Sequence, residues 1–121
     1  MVKALFDTNI LVDYLNAVPQ ARDELDLYRE KAISVITWME VMAGTTVITE
    51  KKTKAFLNGF FLIKLDTLIA EQAVALRKQY RIKLPDAVIW SSAQINSMLL
   101  ITRNTKDFNK KVPGIRVPYK L

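Results

Sequence analysis

Val2 to Leu11 reads VKALFDTNIL. Ala4, Leu5 and Phe6 form a short apolar run, as expected of a buried strand, and the run stops at the carboxylate of Asp7. The small polar pair Thr8 and Asn9 follows, and from Ile10 to Leu15 the pattern predicts a helical turn or two. An acid in this position lies where a strand hands over to a helix. In an open parallel sheet that edge is where ligand sites form, because the loops leaving the strand ends splay apart and helix N-termini converge on it. Asp7 is therefore the first candidate member of an acidic site.

The same alternation continues along the chain. Pro19 interrupts the first helix, and Ala21, Leu25 and Tyr28, at i, i+4 and i+7, predict an amphipathic helix near 20–30. Strand-like runs at 32–36, 61–65, 98–102 and 115–117 are separated by predicted helices at 38–43, 49–59, from Thr67 to Tyr80, and at 86–97. Thr37 and Thr67 are the expected N-caps, Gly44 a helix end, and Pro85 a preorganised first turn. Asn104 to Phe108 is read as a turn or short helix, and Phe56, Leu57, Phe60 and Phe61 as core in preference to an exposed interface. Strands alternating with helices over short connections predict a three-layer α/β fold with a central, mainly parallel sheet flanked by helices. With 121 residues the chain can bury one substantial core, so a single domain over 1–121 is expected.

Composition narrows the chemistry. Cysteine and histidine are both absent, which excludes disulfides, thiolate nucleophiles, His-containing zinc sites and Ser-His-Asp triads. Ser91 and Ser92 thus have no base to activate them, and their expected role is to let the Trp90 helix approach a neighbour closely. Apolar stretches such as Phe60 to Ile63 and Met98 to Ile101 are far too short to span a membrane, so a cytoplasmic protein is expected. The net charge of +6 is unevenly spread: residues 1–76 hold eight Lys or Arg against ten acids, and residues 77–121 hold ten against two. Those two acids, Asp86 and Asp107, lie among Arg81, Lys83, Arg103 and Lys106. A positive field around isolated carboxylates suits a phosphate-bearing polymer drawn toward an acidic, metal-holding centre. A solvated basic face is the plainer alternative.

Four carboxylates stand where this fold brings chain segments together: Asp7 after the first strand, Glu40 after the second, Asp86 opening a helix, and Asp107 after the fourth strand. Each has an ordinary explanation too. Thr37 and Glu40 fit a T-x-x-E capping box, Asp86 follows a common Leu-Pro helix start, and Asp107 can close a turn beneath Phe108. Asp13 and Asp66 are read as solvated or turn residues. If the four acids converge, repulsion dominates, since two unit charges 4 Å apart cost about 4 kcal/mol at an effective dielectric of 20. Such a group needs a cation or stays partly protonated. With oxygen ligands only, the cation expected is Mg²⁺ or Mn²⁺.

Four words of sequence, LFDTNILVDYL at 5–15, SVITWMEVMAG at 34–44, LPDAVIWSSAQ at 84–94 and LLITRNTKDF at 99–108, together resemble a PIN domain, and more narrowly the VapC-type toxin ribonucleases of toxin–antitoxin pairs. The resemblance implies a PIN-like (Rossmann-like) sheet in the order 3-2-1-4-5, metal-dependent hydrolysis of RNA phosphodiesters, a homodimer, and inhibition by a cognate antitoxin. It carries over onto Asp7, Glu40 and Asp86 as core acids. Either Asp107 or Asn104 serves the fourth position. Thr8, Asn9 and Asn104 are expected beside the substrate, and Arg81, Lys83, Arg103 and Lys106 on its flanking phosphates. Two rivals belong to other classes. One is a degenerate PIN-like module that binds RNA or a protein without chemistry. The other is an aspartyl-phosphate enzyme, which the Asn at position 9 disfavours because that chemistry usually has a second Asp there.

Overall fold

Strands and helices alternate through most of the molecule. The computed structural model, which describes residues 2–121, runs β1 (Ala4–Phe6), α1 (Thr8–Leu15), α2 (Pro19–Asp26), β2 (Lys31–Ser34), α3 (Val35–Ala43), α4 (Glu50–Leu57), β3 (Phe61–Ile63), α5 (Thr67–Tyr80), α6 (Leu84–Ile95), β4 (Leu99–Ile101) and β5 (Ile115–Arg116). The strands pair in the order β3-β2-β1-β4-β5, all parallel, which is the expected sheet. β1 is the middle strand, between Lys31 and Ala32 of β2 and Leu99 to Ile101 of β4. Parallel pairing puts every strand's C-terminal end on one edge, so the residues just after β1, β2 and β4 are neighbours in space.

Successive side chains of β1 point to opposite faces and join two cores. Leu5 packs with Leu100, Ile115 and the inner faces of α5 and α6. Ala4 and Phe6 pack on the other side with Ile10, Leu11, Ala21 and Leu25 of α1 and α2. All three β1 residues are fully buried. Burying Phe6 alone contributes roughly 2–3 kcal/mol, and its ring meets Tyr28 and Phe60 edge-on at 5.7 and 6.2 Å. Behind the sheet, Ser91 Oγ donates to the Ile69 carbonyl at 2.7 Å, so a small hydroxyl lets α6 lie close against α5 as anticipated. Among the described residues no helix is long and apolar enough to cross a membrane.

The structure departs from the sequence expectations at several joints. α3 starts three residues earlier than the pattern suggests: Ser34 Oγ accepts from the Ile36 amide at 3.1 Å and is the cap. Thr37 is consequently buried inside the first turn, and the Thr37/Glu40 capping box does not form. Val35 and Ile36 read as strand by propensity, but the Ser34 cap starts the helix ahead of them. Asp66, not Thr67, caps α5 by accepting from the Ile69 amide at 2.9 Å. Residues 104–108 form turns, one of the two forms expected there. Phe61 is 71% exposed on the edge strand β3, whereas Leu57 is buried.

Asp13 is the largest correction, because it is buried and fully paired. Arg103 grips it through Nε and Nη2 at 2.7 and 3.0 Å, and the Tyr119 hydroxyl donates to the same carboxylate at 2.7 Å. Glu24 is held alike by Arg116 Nε and Nη2 at 2.6 and 3.0 Å and by the Tyr28 hydroxyl at 2.9 Å. Burial, and then the neighbouring Glu24, push the Tyr28 phenol up to about 12, so it stays a donor. These two clamps tie the C-terminal third to α1 and α2. Arg103→Ala should cost about 2 kcal/mol in urea unfolding, because it strands a carboxylate that is only 7% exposed, and Asp13→Asn added to it should recover part of that loss.

Candidate active site

The acidic site is built where β1, β2 and β4 end. Asp7 follows Phe6 directly, and its own amide still donates to the Ile101 carbonyl at 2.9 Å, as if the strand ran one residue further. It also caps α1, its Oδ1 accepting from the Thr8 amide at 2.8 Å. Oδ2 accepts from the Thr102 hydroxyl at 2.7 Å and from Asn9 Nδ2 at 3.2 Å. The carboxyl is almost wholly buried, and burial raises its pKa above the usual carboxylate value; the Glu40 charge adds to this, while the three hydrogen bonds work against it. No cationic side chain pairs with it among the described residues.

Neutral groups connect the remaining acids to Asp7. The Thr8 hydroxyl donates to Glu40 Oε1 at 2.7 Å, with the buried Thr37 hydroxyl 3.1 Å away, so the start of α1 positions a side chain of α3. Asn104 lies just after β4. Its amide hydrogen goes to Thr102 Oγ1 at 3.0 Å, its Nδ2 donates to Asp107 Oδ2 at 3.0 Å, and its Oδ1 accepts from the Asp107 amide at 3.2 Å. Asn104 thus braces Asp107, and Asp107 is the group that bears on Asp86. In the first turn of α6, the half-buried Asp86 has its carboxyl raised from 3.8 to about 6. Burial is the main cause, followed by the charge of Asp7, the charge and hydrogen bond of Asp107, and the charge of Glu40.

Asp7, Asp107 and Glu40 therefore all bear on Asp86, and Glu40 also bears on Asp7. They do not form a closed metal cage: among the described residues no group of three or more acids is drawn together at ligand spacing. The donor set still fits a hard divalent ion, since all its ligands are oxygens. Mg²⁺ in particular keeps several waters and is held by one or two carboxylates. The basic residues are placed differently from one another. Lys83, Lys106 and Arg81 are exposed, Arg81 closing α5 in the left-handed region at φ 57°. Arg103 donates its backbone amide to Asn9 Oδ1 at 3.1 Å, while its guanidinium is committed to Asp13. Thr102 was not singled out from the sequence. Its place follows from the sheet register, since Phe6 pairs with Ile101 and the hydroxyl after Ile101 then stands beside Asp7.

A PIN-domain family profile matches residues 4–112. The chain belongs to the PIN-domain family. A toxin–antitoxin complex from Klebsiella pneumoniae contains a chain similar to this PIN domain at 46% identity and a TM-score of 0.94, covering 98% of this chain and 100% of that one. DNA-bound VapBC from Salmonella typhimurium is similar at 22% identity and a TM-score of 0.77, covering 99% and 98% of the two chains. FitAcB from Neisseria gonorrhoeae is similar at 21% identity and 0.78, covering 95% and 97%. The last two establish likeness of fold alone. No curated protein gives a significant match.

Between the unfolded pKa of 3.8 and the folded value of about 6, the native PIN domain binds more protons at Asp86 than the unfolded chain, so this group lowers stability as pH rises through that window. Asp86→Asn removes the titration. The stability difference should move in the variant's favour by about 1–2 kcal/mol between pH 4 and pH 7, the full shift being discounted for partial exposure. Urea unfolding at a series of pH values measures it.

Proposed function

We propose that this PIN domain is a metal-dependent endoribonuclease, the toxin of a toxin–antitoxin pair. The observation that carries the reading is Asp86, a carboxyl pushed up to about 6 by burial and by three other acids, with no Lys or Arg paired to any of the four among the described residues. Mutual repulsion that the protein leaves uncompensated is what a divalent cation would relieve. Asp7 and Asp86 would hold one Mg²⁺ or Mn²⁺, directly or through water, and the bound ion would supply Lewis-acid polarisation of the phosphate and stabilise the leaving oxygen. Thr8, Asn9 and Thr102 keep Asp7 ionisable and correctly turned. Glu40 and Asp107 orient the attacking water and accept its proton. The water oxygen bonds to phosphorus, the bond to the 3′ oxygen breaks, and that oxygen departs as an alkoxide that takes a proton from solvent, giving a 3′ hydroxyl and a 5′ phosphate. Arg81, Lys83 and Lys106 are exposed and free to meet flanking phosphates, a role less open to Arg103.

The toxin reading draws on the Klebsiella pneumoniae relative, which was solved in a toxin–antitoxin complex. A groove of about 440 Å³ beside Glu40, with Val12, Leu15 and Val41 among its walls, gives a cognate antitoxin a surface that adjoins the acids. Action in the cytoplasm and pairing as a homodimer belong to the same proposal.

Asp7→Asn or Asp86→Asn should lower RNA cleavage by more than about a hundredfold with the fold retained, and excess EDTA should do the same to the parent. Activity that survives any of these treatments overturns the reading. Calorimetric titration with Mn²⁺ should show saturable binding that Asp86→Asn weakens. A protein that binds RNA, takes up no Mn²⁺ and cleaves nothing would instead be the degenerate module.

A further inference from the structure

A second hollow, of about 460 Å³, adjoins the acidic site and shares Asp107 with it. Its volume lies within the roughly 300–1,000 Å³ usual for small-ligand pockets. Trp90 and Phe108 form a buried floor, their rings packed edge-on at 5.7 Å. Tyr80, at the end of α5, rests against Trp90 with centroids 4.8 Å apart and remains 42% exposed. Lys106, Lys110 and Lys120 complete the walls, and among the described residues none of the three is in an ion pair. All the residues lining the hollow come from the basic stretch 77–121, in which Arg103 and Arg116 are spent on Asp13 and Glu24.

Three unpaired ammonium groups attract an anion, and an exposed tyrosine ring beside them favours a flat π-system. A nucleotide has both parts. A carboxylate-rich peptide has only the first, and a bare phosphate lacks the ring. We propose that the hollow is a nucleotide subsite, taking one unstacked base and its phosphate from the RNA strand next to the bond that is cut. The placement next to that bond rests on the nuclease reading, through the shared Asp107; the binding chemistry does not. Tyr80 stacks on the base, and Lys110 and Lys120 hold the phosphate, so the subsite contributes to which sequence is cut.

The test uses a Trp38→Phe background, in which Trp90 is the remaining tryptophan of the two in the chain. AMP, GMP, CMP and UMP are titrated in turn without added metal while Trp90 fluorescence is followed. At least one nucleotide should give saturable quenching, and both Tyr80→Ala and the double variant Lys110→Glu/Lys120→Glu should weaken it about tenfold or more with thermal unfolding unchanged. Silence with all four nucleotides overturns the subsite. Equal affinity for inorganic phosphate, or displacement by a polyglutamate peptide at matching affinity, overturns it as well, since either means charge without base recognition. Where RNA is cleaved, the double variant should raise KM or move the cut positions while kcat stays within about twofold. Quenching without nuclease activity would retain the subsite and remove the nuclease; cleavage without quenching would do the reverse.

Discussion

The Asp7 carboxylate is the constraint around which the molecule is arranged. It ends the central strand, it is nearly wholly buried, and it accepts hydrogen bonds only from hydroxyl, amide and backbone N–H groups. A buried charge with a paired arginine would be quiet. Here the charge is left unbalanced, its pKa raised by burial, and its field reaches Asp86. The parallel sheet makes this possible, since it supplies three neighbouring strand ends from which Asp7, α3 with Glu40, and Thr102 with Asn104 all depart. Such an arrangement lowers stability locally and is maintained by the two packed cores on either side of β1.

The protein uses its charges in two separate ways. Arg103 and Arg116 are consumed in bidentate clamps on Asp13 and Glu24, each completed by a tyrosine hydroxyl, and these hold the C-terminal third against α1 and α2. The four carboxylates of the site receive no such partners. Arginine suits the clamps because its planar fork matches a carboxylate with two parallel bonds. Three of the lysines left over, Lys106, Lys110 and Lys120, on flexible stems and without acidic partners among the described residues, line the hollow beside Asp107. Counting the basic residues of 77–121 therefore overstates the charge available to a polyanion, because part of it is internal.

Much of the site could be read from local pattern. Asp7 after a buried run, Asp86 after Leu-Pro, and the four matching words at 5–15, 34–44, 84–94 and 99–108 all lie in short stretches whose meaning does not depend on distant residues. The five strands followed in the same way from short apolar runs between helices, whereas their order in the sheet came from the resemblance to PIN domains alone. Misreadings cluster where a cap or a place at the edge of the sheet outweighs a residue's own preference. Val35 and Ile36 favour a strand, yet Ser34 caps them into a helix. Phe61 has the composition of a core residue but lies largely exposed on an edge strand.

What the order of residues alone determined was the chemistry on offer: carboxylates and hydroxyls, no imidazole or thiol, and acids at strand ends in an α/β sheet. That follows from composition and from periodicity, which are local properties. Folding in three dimensions was needed to say which polar groups are shared. Asp13 looks like a surface acid until Arg103, ninety positions away, and Tyr119 close over it. Thr102 looks like the end of a strand until its hydroxyl reaches Asp7. Hydrogen bonds and ion pairs act over about 3 Å of space regardless of separation along the chain, so those partnerships exist only once the sheet has brought the segments together.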